Sequence, residues 1–281
     1  MRIAVIGSGV RWSEGRPPAY LAAAARPGVE PVGVPLRAGL FPYTPAEHVL
    51  VETLLLDAGL RALEQQSDAI FIDTFGEYAL DAIRAVTDVP VIGAAEASIA
   101  AARAAGPRFA IVTVWPDSMR WIYDARLTRH DAGAACTGVT YVGSGGGRGT
   151  GVAVADRVRG EVATGAAALR AEVVSACRAA AAAGADSIVL GCTCMAPMHD
   201  ELLAATPVPV ICASRTGLHA AMDAAAVRAP SARAPDPRFA SRVKAAAAAL
   251  ALAGTGAAAE TVDAPVSPAD DCPVCVIASG E

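Results

Sequence analysis

Charge is sparse in this chain. Of 281 residues only 18% are Asp, Glu, Lys or Arg, the net charge is -5, and no basic block or aromatic-studded basic stripe occurs. Polyanions are held by clustered Lys and Arg, so nucleic acid is excluded as the expected partner. Long apolar runs are missing too. The Ala-rich stretch from Ala245 to Ala253 is too short and too weakly hydrophobic to span a bilayer, so no membrane partner is expected. The N-terminus runs Arg2-Ile3-Ala4-Val5-Ile6 straight into glycine, with no secretory signal, and a cytoplasmic protein is expected. The four histidines form neither HxH nor HExxH, which speaks against a dedicated metal site. Seven cysteines in such a chain read as thiols and not as a disulfide framework.

What is abundant is short apolar segments alternating with Ala-rich helical ones; apolar residues make up 54% of the chain. Strands are predicted over Ile3 to Ile6, Val29 to Val34, Ala69 to Ile72, Val89 to Ile92, Arg108 to Val114, Val139 to Val142, Ser187 to Leu190 and Val208 to Cys212. Helices are predicted over Ala46 to Gln65, Tyr78 to Val86, Glu96 to Ala105, Ala166 to Ala183 and Pro197 to Ala204. Wholly apolar strands between helices indicate an α/β fold whose parallel sheets are covered on both faces.

An internal repeat organises these elements. Ser67-Asp68-Ala69-Ile70-Phe71-Ile72-Asp73-Thr74 aligns with Ala185-Asp186-Ser187-Ile188-Val189-Leu190-Gly191-Cys192 at an offset of 118 residues. Val89-Pro90-Val91-Ile92 aligns with Val208-Pro209-Val210-Ile211 at 119. Retention of the Asp before the strand, and of the VPVI segment, favours duplication over the generic likeness of any two βαβ units. Thr74 and Cys192 then occupy equivalent places at a strand's C-terminal end, where open α/β sheets bind ligands.

The segment Ile188 to Pro197, with its Leu-Gly-Cys-Thr core, resembles the second cysteine motif of hydantoin and allantoin racemases, within the aspartate/glutamate/hydantoin racemase superfamily. Asp73 to Asp81 resembles the first cysteine motif, and the likeness extends over roughly Met1 to Arg228. The resemblance implies two Rossmann-like lobes related by pseudo-twofold symmetry, with the active site in the cleft between them. It divides the chain into lobe 1 (1–98 plus 213–253), lobe 2 (99–212) and a C-terminal tail (254–281). It also implies proton transfer at the carbon α to a carbonyl without metal, pyridoxal phosphate or other cofactor. The expected partner is a small-molecule substrate, and homo-oligomerisation is left open.

By the resemblance Cys192 is one catalytic residue and Thr74 stands where the other cysteine belongs. A thiol, with a reference pKa of about 8.5, can serve as acid or base near neutrality. A threonine hydroxyl is too weak an acid for that and fits a hydrogen-bond donor to a carbonyl or enediolate. Asp73 either points away from the site, as strand alternation requires, or is re-aimed as a base for Thr74. Glu77 is expected in the first turn of the following helix. Substrate-binding candidates are Ser8 in the first turn, Phe75 and Gly76 beside Thr74, Thr113, and Thr193 beside Cys192. Thr193 reads equally as a helix cap, Gly76 as a turn residue, and Cys194 as a core thiol. The leading expectation is a racemase or epimerase of an amino-acid derivative or hydantoin. A single-cysteine decarboxylase or lyase of the arylmalonate decarboxylase type and a non-catalytic small-ligand binder are the alternatives. The Gly-rich stretch Gly143 to Gly151 fits no phosphate-loop pattern and reads as a loop or lid. Cys272 and Cys275 form a lone CxxC with no role assigned.

Overall fold

The computed structural model describes residues 1–7, 19–142, 160–162, 164–227 and 234–257. Ser8, the Gly-rich stretch and the Cys272/Cys275 segment lie outside the described residues.

Among the described residues eight strands form two four-stranded sheets. The first contains β1 (Arg2–Ile6), β2 (Glu30–Gly33), β3 (Ala69–Ile72) and β4 (Val91–Gly93), in the order β2-β1-β3-β4. The second contains β5 (Phe109–Thr113), β6 (Cys136–Tyr141), β7 (Ser187–Leu190) and β8 (Val210–Ile211), in the order β6-β5-β7-β8. β1 runs parallel to β2 and β3, and β5 runs parallel to β6 and β7, which in turn is parallel to β8. The expected α/β fold with parallel sheets is what the chain adopts. Every residue of β3, β5 and β7 is buried, which explains their uninterrupted apolar sequence. β6 lies at a sheet edge and is partly exposed along its whole length.

The two copies of the repeat fill matching places. β3 and β7 are each third in their sheet, and β4 and β8 each close an edge. The retained Asp does the same work twice. Asp68 Oδ2 accepts the Arg2 N–H at 2.7 Å while the Asp68 N–H donates to Arg2 O at 2.7 Å. Asp186 Oδ2 accepts the Arg108 N–H at 2.9 Å while its own N–H donates to Arg108 O at 2.8 Å. In each sheet this carboxylate satisfies a backbone donor at the start of the neighbouring strand, which fixes the register. Likewise Ile70 donates to Pro90 O and Ile188 to Pro209 O. Each proline lacks an N–H but still supplies an acceptor to its inner neighbour.

By contacts the chain separates into two compact units. One comprises Met1–Ile72, Tyr78–Val91 and the chain from Ala221 onward; the other comprises Asp73–Glu77 and Ile92–Ala220. In the first unit α1 (Ala19–Ala24) packs on β2, while α2 (Pro45–Glu64) packs on β1, on α3 (Leu80–Arg84) and on α9 (Pro237–Ala257). Helix α2 starts at a capping box. Thr44 Oγ1 accepts the Glu47 N–H at 3.3 Å, the Glu47 carboxylate accepts the Thr44 N–H at 2.8 Å, and Pro45 follows the cap. Its inner face places Val51, Leu55, Ala58 and Ala62 in a core shared with Ala4, Ile6, Ile70 and Ile72. Asp57 on that helix is buried, and its charge is matched by Arg37 and Arg61, each with Nε at 2.9 Å.

In the second unit α4 (Ala94–Ala105) packs on β7 and β8, and α6 (Ala167–Ala182) packs on β5, β7 and α7 (His199–Ala205). Helix α5 (Arg120–Arg129) also belongs to this unit, and α8 (Ala213–Ala226) begins in it and ends in the first. No helix among the described residues is long and apolar enough to cross a membrane.

Candidate active site

Both sequence-predicted catalytic residues sit two positions beyond a buried third strand: Thr74 after Ile72 and Cys192 after Leu190. Their two turns fall in the same compact unit and are joined directly. The Thr193 hydroxyl donates to the Asp73 carbonyl at 3.1 Å. One hydrogen bond therefore links the residue before Thr74 to the residue after Cys192. Ser214, fully buried in the first turn of α8, reinforces the junction. Its hydroxyl donates to Asp73 Oδ1 at 2.7 Å, with the Thr193 carbonyl at 3.4 Å as a weaker second acceptor. The Asp73 carboxylate is thus turned to Ser214, and it makes no hydrogen bond to the Thr74 hydroxyl. Ser214 is the polar member of a repeat pair whose other member is Ala95, the one sign of it in the sequence.

Thr74 is 5% exposed, and its Oγ1 has no hydrogen-bond partner among the described residues. An unsatisfied buried hydroxyl costs about 1–3 kcal/mol. The turn closes with the Glu77 N–H donating to Thr74 O at 3.1 Å. Its left-handed residues are Glu77 (φ 49°) and Ala79 (φ 60°), whereas Gly76 is not among the positive-φ residues. Glu77 thus precedes α3 and does not lie in its first turn. Its carboxylate serves a different helix, accepting the Glu96 N–H in the first turn of α4 at 2.6 Å. Phe75 is buried against Tyr123, with ring centroids 5.5 Å apart.

Cys192 is partly exposed and caps a 3₁₀ helix over Thr193–Met198 with its sulfur, which accepts the Cys194 N–H at 3.2 Å. This tight turn sets the Cys192 and Cys194 Cα atoms 5.2 Å apart, and the two sulfurs are joined as a disulfide. Here the expectation of thiols alone is corrected: Cys194 is buried, as a core residue would be, but it is the covalent partner of Cys192 and not a thiol. The remaining described cysteines are free. Burial pushes the Cys136 and Cys212 thiols up and that of Cys177 up to about 11.

Behind Cys192 the packing is tight. A Cβ on Gly191 would lie 2.8 Å from Ile111, 2.9 Å from Tyr123 and 3.0 Å from Thr113, so only glycine fits. The Tyr123 hydroxyl donates to Gly191 O at 3.0 Å and lies 2.5 Å from Thr113 Oγ1. Thr113 also accepts the Trp115 N–H at 3.3 Å. The Thr113 side chain, fully buried, thereby holds Tyr123 against the Cys192 turn. Among the described residues no group of three or more His, Cys, Asp or Glu could hold a metal ion.

The Asp/Glu/Hydantoin racemase family profile matches residues 41–221, a span that includes both turns. Among solved structures, the allantoin racemase from Klebsiella pneumoniae is 26% identical, with a TM-score of 0.68 over 81% of this chain and 88% of that one. The allantoin racemase from Pseudomonas fluorescens is 23% identical, with a TM-score of 0.68 over 79% and 90%. An arylmalonate decarboxylase shares the fold at 22% identity, with a TM-score of 0.56 over 82% and 95%. No curated protein matches. On the family match, which covers more than half its length, this chain belongs to the Asp/Glu/hydantoin racemase family.

Proposed function

We propose that the protein is a cofactor-independent racemase or epimerase acting at the carbon α to a carbonyl of a hydantoin, allantoin included, or of a small amino-acid derivative. The observation that supports this reading is the Thr193–Asp73 hydrogen bond, which joins the turn after Cys192 to the turn that carries Thr74, whose buried hydroxyl has no partner among the described residues. With Cys192 reduced, its thiolate removes the α-proton. The C–H electron pair passes to the carbonyl oxygen, and the resulting enolate accepts a hydrogen bond from Thr74. Threonine cannot itself ionise to replace a second cysteine. On the Thr74 face the returning proton therefore comes from solvent water relayed by that hydroxyl, and the hydroxide left behind is neutralised by the proton that the Cys192 thiol gives up, which restores the thiolate. The oxidised Cys192–Cys194 pair carries no proton, so the active form is the dithiol. A dithiol reductant reaches it by thiol–disulfide exchange, becoming oxidised as both cysteine thiols form.

A second reading is favoured by one feature, the absence of a thiol at residue 74. A site with no sulfur at residue 74 suits a decarboxylase, in which CO₂ leaves and Cys192 protonates the enediolate once. The test is incubation with allantoin, a 5-substituted hydantoin and an α-substituted malonate in deuterated water, with reductant present. Exchange of the α-hydrogen without loss of mass is the expected result, and CO₂ release from the malonate alone would move the assignment to the second reading. Cys192→Ala abolishes either activity. Full activity in that variant would refute both.

A further inference from the structure

The Glu77 carboxylate is buried and held by groups of the second unit. Its side chain has no exposed surface. One oxygen accepts the Glu96 N–H in the first turn of α4 at 2.6 Å, where the helix favours an anion. The other accepts from His130 Nε2 at 2.8 Å, at the C-terminal cap of α5, with the Arg126 guanidinium at 3.6 Å. The Glu96 carboxylate, the like charge nearby, is occupied with the Gly93 N–H at 3.0 Å. A Cβ on Gly93 would collide with Glu77, so the space is kept for this carboxylate. Glu77 holds a left-handed backbone conformation that non-glycine residues seldom adopt, and its own N–H closes the turn onto Thr74 O.

We propose that Glu77 is a positioning residue. Anchored to α4, His130 and Arg126, it fixes the turn that carries the Thr74 hydroxyl and so sets where that hydroxyl meets the enolate. The inference rests on the proposed role of Thr74. A buried carboxylate held by three groups on two helices has little freedom. Removing its charge lets the turn shift, and misplacement by about an ångström costs up to roughly 100-fold in rate.

The test is a double-variant cycle on the reduced full-length protein, using the deuterium-exchange assay. Glu77→Gln, which retains the size and an acceptor for Glu96, lowers kcat by about 10- to 100-fold with KM changed less than about threefold. His130→Ala, which leaves Glu77 intact but frees it, does the same. Because both act through Thr74, Thr74→Val combined with Glu77→Gln is no slower than Thr74→Val alone. Amide exchange of the 73–77 segment, followed by mass spectrometry, speeds up in Glu77→Gln and His130→Ala more than exchange in β3 and β7, while the melting temperature falls in both because a buried ion pair has lost a partner. That readout does not depend on which substrate is turned over. Losses that multiply in the double variant, or a looser segment with unchanged kcat, would overturn the proposal. An active Cys192→Ala would instead sink the proposed function and leave the segment measurement standing.

Discussion

The sulfur of Cys192 is bonded to that of Cys194. A thiolate is required for proton abstraction, so the reading of Cys192 as proton carrier makes activity dependent on reductant. Peroxide or diamide should silence the reduced enzyme and a dithiol should restore it, whereas Cys194→Ser should lose no activity to diamide. The other described cysteines provide the contrast. Burial raises their pKa values, that of Cys177 to about 11, so at pH 7–8 they stay protonated and unreactive. Iodoacetamide applied to the reduced, folded protein is expected to label the Cys192 peptide and spare the Cys177 peptide until denaturant is added, as peptide mapping will reveal. Equal labelling of the two would remove the basis for a special sulfur at position 192. At this scale the sequence disclosed which residues to compare, because the repeat pairs Thr74 with Cys192 across a fixed offset. It did not disclose the Cys194 bond, which depends on the 3₁₀ geometry after residue 192, nor the turn of Asp73 toward Ser214. Both are set by a backbone twist at the strand end that strand alternation does not encode.

At the scale of elements, the Cys192 turn is held by its packing against β5 and α5. Gly191→Ala places a methyl group within 3.0 Å of Ile111, Tyr123 and Thr113. Over-packing of this kind costs about 1–3 kcal/mol. It also pushes on the Tyr123 ring that backs Phe75, so turnover should fall along with the denaturation midpoint. Thr44→Ala, which removes the α2 cap in the other unit, is expected to cost about 1 kcal/mol by the same denaturation measurement and leave turnover unchanged. Strand positions were legible in the sequence because buried parallel strands are continuously apolar. Helix ends were less so. The predicted helix over Tyr78 to Val86 shrinks to Leu80–Arg84, since Glu77 and Ala79 take left-handed conformations that no helix accommodates. Helix α5 escaped notice altogether; its sequence, RWIYDARLTR, spreads charge around most of its circumference and buries only Ile122 and Tyr123.

Across the whole molecule, stability should be distributed by strand. β3, β5 and β7 and most of β1 are sealed from solvent, while every residue of β6 keeps some exposure. Native-state hydrogen exchange is therefore expected to be slowest in those four inner strands and markedly faster in β6. Comparable protection in β6 would mean that something further covers that edge. The α/β class and the buried strands were readable from apolar segments, whereas β6 starts three residues before the predicted Val139 and is neither buried nor uniformly apolar; the shared strand order of the two sheets answers to the repeat. The division of the chain was harder to read. Contacts assign residues 73–77 to the unit built around the second sheet, although they directly follow a strand of the first. Their attachments to Ser214, Thr193, Glu96 and His130 are long-range in sequence and leave no periodic trace.

Asp68 and Asp186 hold the same two backbone atoms in each sheet, yet the residues six places downstream, Thr74 and Cys192, are chemically unlike. A frame latched so far from its tips tolerates a change of reagent at either one. On the roles proposed for Thr74 and Cys192, exchanging an alcohol for a sulfur at such a tip alters what the molecule can do to a substrate without asking the scaffold to fold differently.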